Sequence, residues 1–184
     1  MKQVIHIFGA SGSGTSTLGR ALSEAFGCKH MDTDDYFWLP TDPKYTCKRP
    51  VEERLFLMER DIEENEAAVI SGSLTGWGDG LIPHFTLCIR LVTDTSVRIE
   101  RLKKREREKF GARLDVGGDM HEAHLAFLEW ASKYDAGDEN MRSLKKHILW
   151  QEKLSCPVIV LDGAAELEKN VESVRAYVKS MNEN

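Results

Sequence analysis

The sequence predicts an α/β protein in which a five-stranded, mainly parallel sheet carries helices on both faces. Short apolar runs alternate along the 184 residues with segments whose apolar residues recur at helical spacing. No internal repeat, low-complexity tract or linker divides the chain, and its length suffices to bury one sizeable core. We therefore expect a single domain over residues 1–184.

The strand candidates are the short apolar runs. In chain order they are residues 4–8, 28–31, 67–71, 85–92 and 157–161. After the first strand, apolar residues with the i, i+3, i+4, i+7 spacing predict an amphipathic helix. They are Leu18, Ala21, Leu22, Ala25 and Phe26. Further helices are predicted after Pro50, over residues 95–108 behind an N-cap at Thr93 or Asp94, and near 127–134, 141–148 and 167–178.

Composition narrows the class of protein. The net charge is −5, from 25 Lys and Arg against 30 Asp and Glu, and 41% of the residues are apolar. These values are typical of a globular protein and argue against a disordered chain or a dedicated nucleic-acid binder. The lack of a long apolar run argues against a membrane span, and the early glycines argue against a signal peptide. We expect a cytoplasmic protein that binds neither nucleic acid nor membrane.

The cysteines and histidines do not have the spacing of a metal site. The four cysteines lie far apart, with no CxxC pair and no matching histidine spacing, so we expect reduced thiols. They are Cys28, Cys47, Cys88 and Cys156. His121 and His124 are three residues apart but lack a third partner, and they are interpreted as surface residues of a helix.

A glycine-rich loop lies directly between the first strand and the first helix. It fits the phosphate-loop pattern GxxxxGK[ST] except at Thr15, where the pattern has lysine. Backbone N–H groups and the helix N-terminus would bind phosphate, and the Ser16 hydroxyl would reach Mg²⁺. A simple turn between strand and helix is the alternative. The predicted nucleotide-binding residues are Gly9, Ala10, Ser11, Gly12, Ser13, Gly14, Thr15, Ser16 and Thr17.

The chain resembles the P-loop kinases of small molecules, the group of adenylate, shikimate and gluconate kinases. The resemblance covers nearly the whole chain and includes five features. They are the loop at 9–16, the acidic turn at 32–35, Ser71-Gly72-Ser73, the arginine-rich helix at 98–107 and a final strand and helix. It implies a nucleoside monophosphate kinase-like fold with the first and third strands adjacent, ATP as phosphoryl donor and Mg²⁺ as cofactor.

An acidic cluster follows the second strand, at the edge of the sheet where α/β proteins bind ligands. Asp32 and Asp34 resemble the DxD motif of the family. We predict that Asp32 contacts Mg²⁺ together with Ser16, and that Asp34 is the catalytic residue that accepts the proton of a substrate hydroxyl. Asp32 and Asp35 are also predicted substrate contacts. An exposed acidic cap without function is the alternative.

Residues 32–60 form the predicted acceptor-binding segment. Tyr36, Phe37 and Trp38 are adjacent, so at least one of them is expected to be exposed or to line a cleft. Basic residues on the following loop, Arg49 foremost, would neutralise an acceptor phosphate; Lys44 and Lys48 are the others. A solvated loop would carry such charges too. Ser73 and Trp77, after the third strand, are further predicted substrate contacts, with plain packing as the alternative for Trp77.

The helix at 98–107 carries arginines on one face, because Arg98, Arg101 and Arg105 recur at i, i+3 and i+7. Arg101 and Arg105 are the predicted catalytic arginines, which would stabilise charge on the transferred phosphoryl group. An exposed, salt-bridged helix is the alternative. Residues 107–120, including Arg113 and three glycines, are the predicted lid insert.

These observations together predict ATP-dependent phosphoryl transfer to a nucleoside monophosphate or another small metabolite. The alternative is a nucleotide-binding P-loop protein that acts as an NTPase or switch without kinase activity. Thr15 keeps both open, because a neutral hydroxyl replaces the lysine charge unless an arginine from 98–107 or Arg142 supplies it. The partner is expected to be a small-molecule acceptor, and the oligomeric state stays undetermined.

Overall fold

Five parallel strands and seven α-helices make up the computed structural model over residues 2–183, which are the residues that the structure describes. The strands are β1 (Gln3–Gly9), β2 (Lys29–Asp32), β3 (Ala67–Ser71), β4 (Leu87–Val92) and β5 (Val158–Asp162). The helices are α1 (Thr15–Phe26), α2 (Thr33–Phe37), α3 (Val51–Glu63), α4 (Thr95–Phe110), α5 (His121–Ser132), α6 (Leu144–Gln151) and α7 (Leu167–Asn182). Short 3₁₀ helices cover Asp79–His84 and Gly111–Leu114.

The strand order is β2-β3-β1-β4-β5, with every neighbouring pair parallel. This confirms the predicted five-stranded parallel sheet and the adjacency of β1 and β3. Ile7 of β1 is level with Ser71 of β3, which is in turn level with Asp32 of β2. The glycine-rich loop, the acidic cluster and the loop after β3 therefore leave the sheet at the same edge.

The sheet has an apolar core on each face, which is why its strands appear as continuous apolar runs. On one face α3 and α6 cover Phe8 and Ile70, with Met58 and Trp150 buried between them. On the other face α1 and α7 cover strand residues such as Ile5. No helix within residues 2–183 is both long and apolar enough to cross a bilayer.

Several element ends differ from their predicted positions, and two of these differences have a clear cause in hydrogen bonding. The fourth strand begins at Leu87 rather than 85, because the Phe85 N–H closes the preceding 3₁₀ turn on the Ile82 carbonyl. The acidic turn is also the start of a short helix, α2. The Asp32 carboxylate accepts a hydrogen bond of 3.1 Å from the Asp34 N–H and so caps α2.

Two fully buried histidines lie in this core. His6 in β1 shares a hydrogen bond of 2.9 Å with the Gly72 carbonyl, and His147 in α6 lies between Ser73 and Tyr134. Burial lowers the pKa of His6 to about 4, although the Gly72 bond opposes the shift. Burial, with nearby positive charges, lowers the pKa of His147 to about 3. The fold therefore holds both imidazoles neutral.

We expect the free energy of unfolding to fall as the pH drops below the ordinary histidine pKa of about 6.5. Below this pH the histidines bind protons in the unfolded chain but not in the folded one. Each histidine therefore lowers the free energy of unfolding by about 1.4 kcal/mol per pH unit, until the pH reaches its pKa in the folded protein. Urea denaturation between pH 7.5 and 4.5 measures this slope. The His147→Gln variant should show a slope smaller by about one proton. Equal slopes in the two proteins would contradict the assignment.

Candidate active site

The loop between β1 and α1 has a backbone that only glycine adopts readily. Gly12 and Gly14 have φ angles of +81° and +102°. A Cβ atom on Gly12 would lie 2.6 Å from the Arg98 carbonyl oxygen of α4. The Ser13 N–H bonds to the Ala10 carbonyl at 3.1 Å, which closes the loop into a tight turn.

Several polar groups of this loop have no protein partner. Helix α1 begins at Thr15 without a side-chain N-cap, so the N–H groups of its first turn remain open. Ser13 is buried, and its Oγ has no hydrogen-bond partner. Hydroxyl groups without a hydrogen bond within residues 2–183 also include those of Ser11, Thr15, Ser16 and Thr17. Open N–H donors at a helix N-terminus are the groups that bind phosphate oxygens, so the loop fits a nucleotide phosphate.

A cavity of about 260 Å³ opens beside the loop, between α1 and the turn that joins β5 to α7. Leu18, Leu91 and Leu167 give it apolar walls, and Arg101 of α4 closes one side. The Arg101 guanidinium donates to the Gly163 carbonyl at 2.9 Å and reaches the Ser13 carbonyl at 3.5 Å. The role of the turn at Gly163 could not be predicted from the sequence, because a single glycine after an apolar strand is not part of a recognisable motif.

The acidic cluster faces two arginines. Asp34 is exposed, yet desolvation by the protein atoms around it raises its pKa. The neighbouring Asp32 carboxylate raises the pKa further, while Arg142 and Arg105 oppose the shift. Asp34 is therefore close enough to both guanidinium groups for their charges to act on its carboxylate. Asp35 is exposed on the same helix. Asp34 and Arg105 therefore lie within electrostatic range of each other, although no hydrogen bond or ion pair joins them within residues 2–183.

Arg142 precedes α6 and is half-buried. Its guanidinium forms no hydrogen bond or ion pair within residues 2–183 and lies 5.5 Å from the centre of the Trp130 ring. Burial lowers the pKa of Arg142, and the Asp34 carboxylate opposes that shift. A half-buried cation without a paired anion is suited to bind an anionic ligand.

Arg54 of α3 is a second unpaired cation, and only 5% of its surface is exposed. Its guanidinium lies 3.8 Å from the centre of the Phe37 ring and 5.4 Å from that of Trp77. The Nε atom donates to the Arg49 carbonyl at 2.7 Å, whereas the two Nη groups have no partner among the described residues. Burial lowers its pKa. Arg54 could not be singled out from the sequence, because it is one of several polar residues on an amphipathic helix.

The loop after β3 forms a wall near these aromatic rings. Ser73 is 4% exposed, and its Oγ bonds to His147 Nε2 at 3.0 Å. His147 Nδ1 bonds in turn to the Tyr134 hydroxyl at 2.7 Å. Trp77 is half-buried and donates from Nε1 to the Ser73 carbonyl at 3.3 Å. The Ser73 hydroxyl is thus hydrogen-bonded within the protein, whereas part of the Trp77 ring is exposed to solvent.

Two further predicted arginines have protein partners. Arg49 donates from Nε to the Tyr36 carbonyl at 2.9 Å and forms an ion pair with Glu53. Arg105 is exposed and pairs with the adjacent Glu106 at 3.2 Å. Within residues 2–183, no cluster of three or more His, Cys, Asp or Glu residues has the arrangement of a metal site. Mg²⁺ needs no such cluster, since it is held by one or two protein oxygens together with substrate phosphates.

Segment 107–120 contacts the loop that follows α2. Arg113 forms a double hydrogen bond with Asp119, at 2.9 and 2.6 Å, and also reaches Asp42 at 3.2 Å. Lys109 Nζ lies 4.1 Å from the centre of the Tyr45 ring. The predicted lid and the predicted acceptor-binding segment therefore touch each other directly.

Comparison with known proteins gives this chain a family. The profile of the protein family described as "AAA domain" matches residues 5–126. The chain belongs to this family. It is 43% identical over 180 residues to the uncharacterized protein YqaC of Bacillus subtilis, covering 98% of this chain and 99% of that protein. It is also 34% identical over 119 residues to a cytidylate kinase of Pyrococcus horikoshii, covering 57% and 58% of the two chains.

Solved structures show the fold of this family member. A shikimate kinase from Acinetobacter baumannii, in complex with shikimate, matches with a TM-score of 0.57 and 15% identity over 98% of this chain and 94% of that one. A gluconokinase from Sinorhizobium meliloti matches with a TM-score of 0.55 and 18% identity over 99% and 94%. At this identity the likeness is one of fold. The five-stranded parallel sheet with its surrounding helices is that of the P-loop kinases.

Proposed function

We propose that this protein transfers the terminal phosphoryl group of ATP to a hydroxyl group of a small anionic metabolite. One observation carries the proposal. Beside an open phosphate loop, the unpaired cations Arg54 and Arg142 flank the short helix that bears Asp34. Removing a guanidinium group from water without a carboxylate partner is costly, so a bound anion is its natural partner.

Each part of the site has a role in this proposal. The loop from Gly9 to Thr17 binds the nucleotide phosphates, and the cavity beside Arg101 receives the base. The Ser16 hydroxyl and the Asp32 carboxylate are the oxygen groups suited to hold Mg²⁺, which would neutralise phosphate charge. Within the acceptor-binding segment 32–60, α2 and the buried face of α3 that carries Arg54 contact the acceptor, and residues 107–120 cover the site.

The transfer step needs a proton acceptor and positive charge. Asp34 accepts the proton of the acceptor hydroxyl. The hydroxyl oxygen forms a bond to the terminal phosphorus of ATP as the bond between that phosphorus and the ADP oxygen breaks. A raised pKa makes Asp34 a stronger base than an ordinary aspartate. Arg105 and Arg142 approach Asp34 and stabilise the charge on the equatorial phosphoryl oxygens.

Thr15 requires a replacement for the lysine charge. Arg98 does not supply it, because its guanidinium is buried and bonded to Thr93, Thr95, Ala131 and Asp135. Arg101 lies next to the loop: its Nη1 atom is 3.8 Å from the position that a Cβ on Gly14 would occupy. We therefore assign to Arg101 the positive charge that a lysine would bring.

Thr15 also favours a second candidate function, an NTPase or switch that binds nucleotide without transferring phosphate to an acceptor. A neutral hydroxyl at this position weakens transition-state stabilisation more than it weakens backbone binding of phosphates. The two functions differ in the acceptor cleft, because a switch has no use for the unpaired Arg54 and Arg142.

Calorimetry with ATP and Mg²⁺ tests the proposal. We expect the wild-type protein to bind, and Arg101→Ala to weaken binding by about tenfold or more, because a hydrogen bond to a charged group contributes about 1.5–3 kcal/mol. Thr15→Lys should restore affinity to the Arg101→Ala variant. Release of ADP is then followed with a panel of hydroxy acids, sugar acids, sugar phosphates and nucleoside monophosphates.

The outcomes separate the candidates. Release of ADP that depends on one acceptor class supports the kinase. Binding, with release that no acceptor accelerates, supports the NTPase or switch. An absence of wild-type binding up to millimolar ATP or GTP would defeat both.

A further inference from the structure

Two thiols lie together away from the proposed site. Cys88 Sγ in β4 and Cys156 Sγ, two residues before β5, are 3.5 Å apart. The Cys88 N–H donates to the Pro157 carbonyl at 2.9 Å, and the sheet register pairs Cys88 with Val158. Cys156 lies two residues before Val158 and is therefore the diagonal neighbour of Cys88. Cys28 and Cys47, in contrast, have no thiol neighbour among the described residues.

The two thiols differ in environment. Cys88 is fully buried in the core that contains Phe8 and Trp150, and both its sulfur neighbour and burial raise its pKa. Cys156 is partly exposed. The adjacent Cys88 thiol lowers the pKa of Cys156 to about 7. The pair thus combines an accessible thiol that ionises more readily with a protected thiol next to it, which is the arrangement of an attacking and a resolving cysteine.

We propose that Cys88 and Cys156 are a redox-active dithiol that reacts with small organic disulfides to form an intramolecular disulfide. The Cys156 thiolate attacks one sulfur of the disulfide, whose S–S bond breaks and releases one thiolate. Cys88 then loses its proton and attacks the Cys156 sulfur of the mixed disulfide, which releases the second thiolate. The protein loses two electrons and two protons, and the organic disulfide becomes two thiols.

The bond would tie the connection between α6 and β5 to β4. This connection follows the helix that carries His147, and His147 binds the Ser73 wall of the acceptor cleft. The cysteines are 68 residues apart in sequence, so the cross-link closes a long loop in the unfolded chain. Closing a long loop stabilises the folded state by restricting the unfolded one.

Oxidised glutathione is the probe for this proposal. The full-length Cys28→Ser/Cys47→Ser variant removes the other thiols and leaves the pair intact. Incubated at pH 7.5 and measured by intact mass, this variant should lose two hydrogens without retaining glutathione, and a tryptic digest should contain the linked peptides. Its melting temperature should rise by at least about 5 °C and return on reduction.

Single-cysteine variants in the same background supply matched controls, each checked by circular dichroism for its fold. The Cys88→Ser variant should retain one glutathione on Cys156, because no thiol resolves the mixed disulfide. The Cys156→Ser variant should not react, because Cys88 is buried. A stable glutathione adduct in the parent variant, or no reaction at Cys156, would overturn the proposal, whatever the result of the nucleotide experiments.

Discussion

We expect Asp34→Asn to lower kcat by roughly 10²–10⁴-fold, which is the usual contribution of a general base. The rate is measured with the acceptor that accelerates release of ADP in the panel above. Asparagine keeps the shape of the side chain but cannot take the hydroxyl proton. Binding of ATP and Mg²⁺ should hardly change, since the groups proposed to hold them are those of the glycine loop and Asp32. Steady-state kinetics with both substrates varied separates these two effects.

The control for Asp34→Asn removes a carboxylate outside the cleft. Glu52 is exposed near the start of α3, and Glu52→Gln should retain wild-type turnover. If Asp34→Asn turns over as fast as Glu52→Gln, the acidic cluster acts only as the cap of α2. An unchanged pH profile in Asp34→Asn would point to the same conclusion, because loss of the base should remove its limb from the profile.

The second large effect is expected at Arg54. Arg54→Met should raise the KM for the acceptor by about 10²–10³-fold, because truncating one side of a buried charge contact costs about 2–5 kcal/mol. Methionine fills the space between Phe37 and Trp77 without the charge, so the fold should persist. Arg54→Lys should restore little, since an ammonium group lacks the planar fork that stacks between two rings.

A substitution of another arginine on the same helix serves as the control for Arg54→Met. Arg60 is exposed on α3, and Arg60→Met should leave both KM values unchanged. Arg54→Met with a normal acceptor KM but a lower melting temperature would show that Arg54 serves only to pack the two aromatic rings. The KM for ATP should not change in either variant.

The sheet could be predicted from the sequence because a strand that is buried on both faces is a short run of consecutive apolar residues. Strand β3 matches its predicted range of 67–71. The ends of β1, β2 and β5 differ from theirs by one residue, and β4 begins two residues later than predicted. Helix α2 has only five residues, and its formation depends on the Asp32 side chain accepting from the Asp34 N–H. Periodicity does not reveal a helix of that length, so the sequence indicated only an acidic turn.

The arginines show why sequence could only partly predict the site. Arg98, Arg101 and Arg105 share a helix face, as predicted, yet depth separates them. Arg98 is fully buried with four partners, Arg101 lies against the Gly163 turn, and Arg105 is exposed near Asp34. Spacing along a helix specifies direction but not depth, which depends on the neighbouring elements. Arg54 was missed for the same reason, because its importance comes from two rings on other segments.

Arg98 contacts two separate parts of the fold, one through its backbone carbonyl and the other through its guanidinium group. Its carbonyl oxygen packs against Gly12 of the phosphate loop, while its guanidinium is bonded to Ala131 in α5 and to Asp135 just beyond that helix. A displacement of α5 therefore pulls on the same residue that supports the loop from below. The support of the phosphate loop and the end of α5 therefore share one residue, and we expect a substitution at Asp135 to alter the packing beneath Gly12.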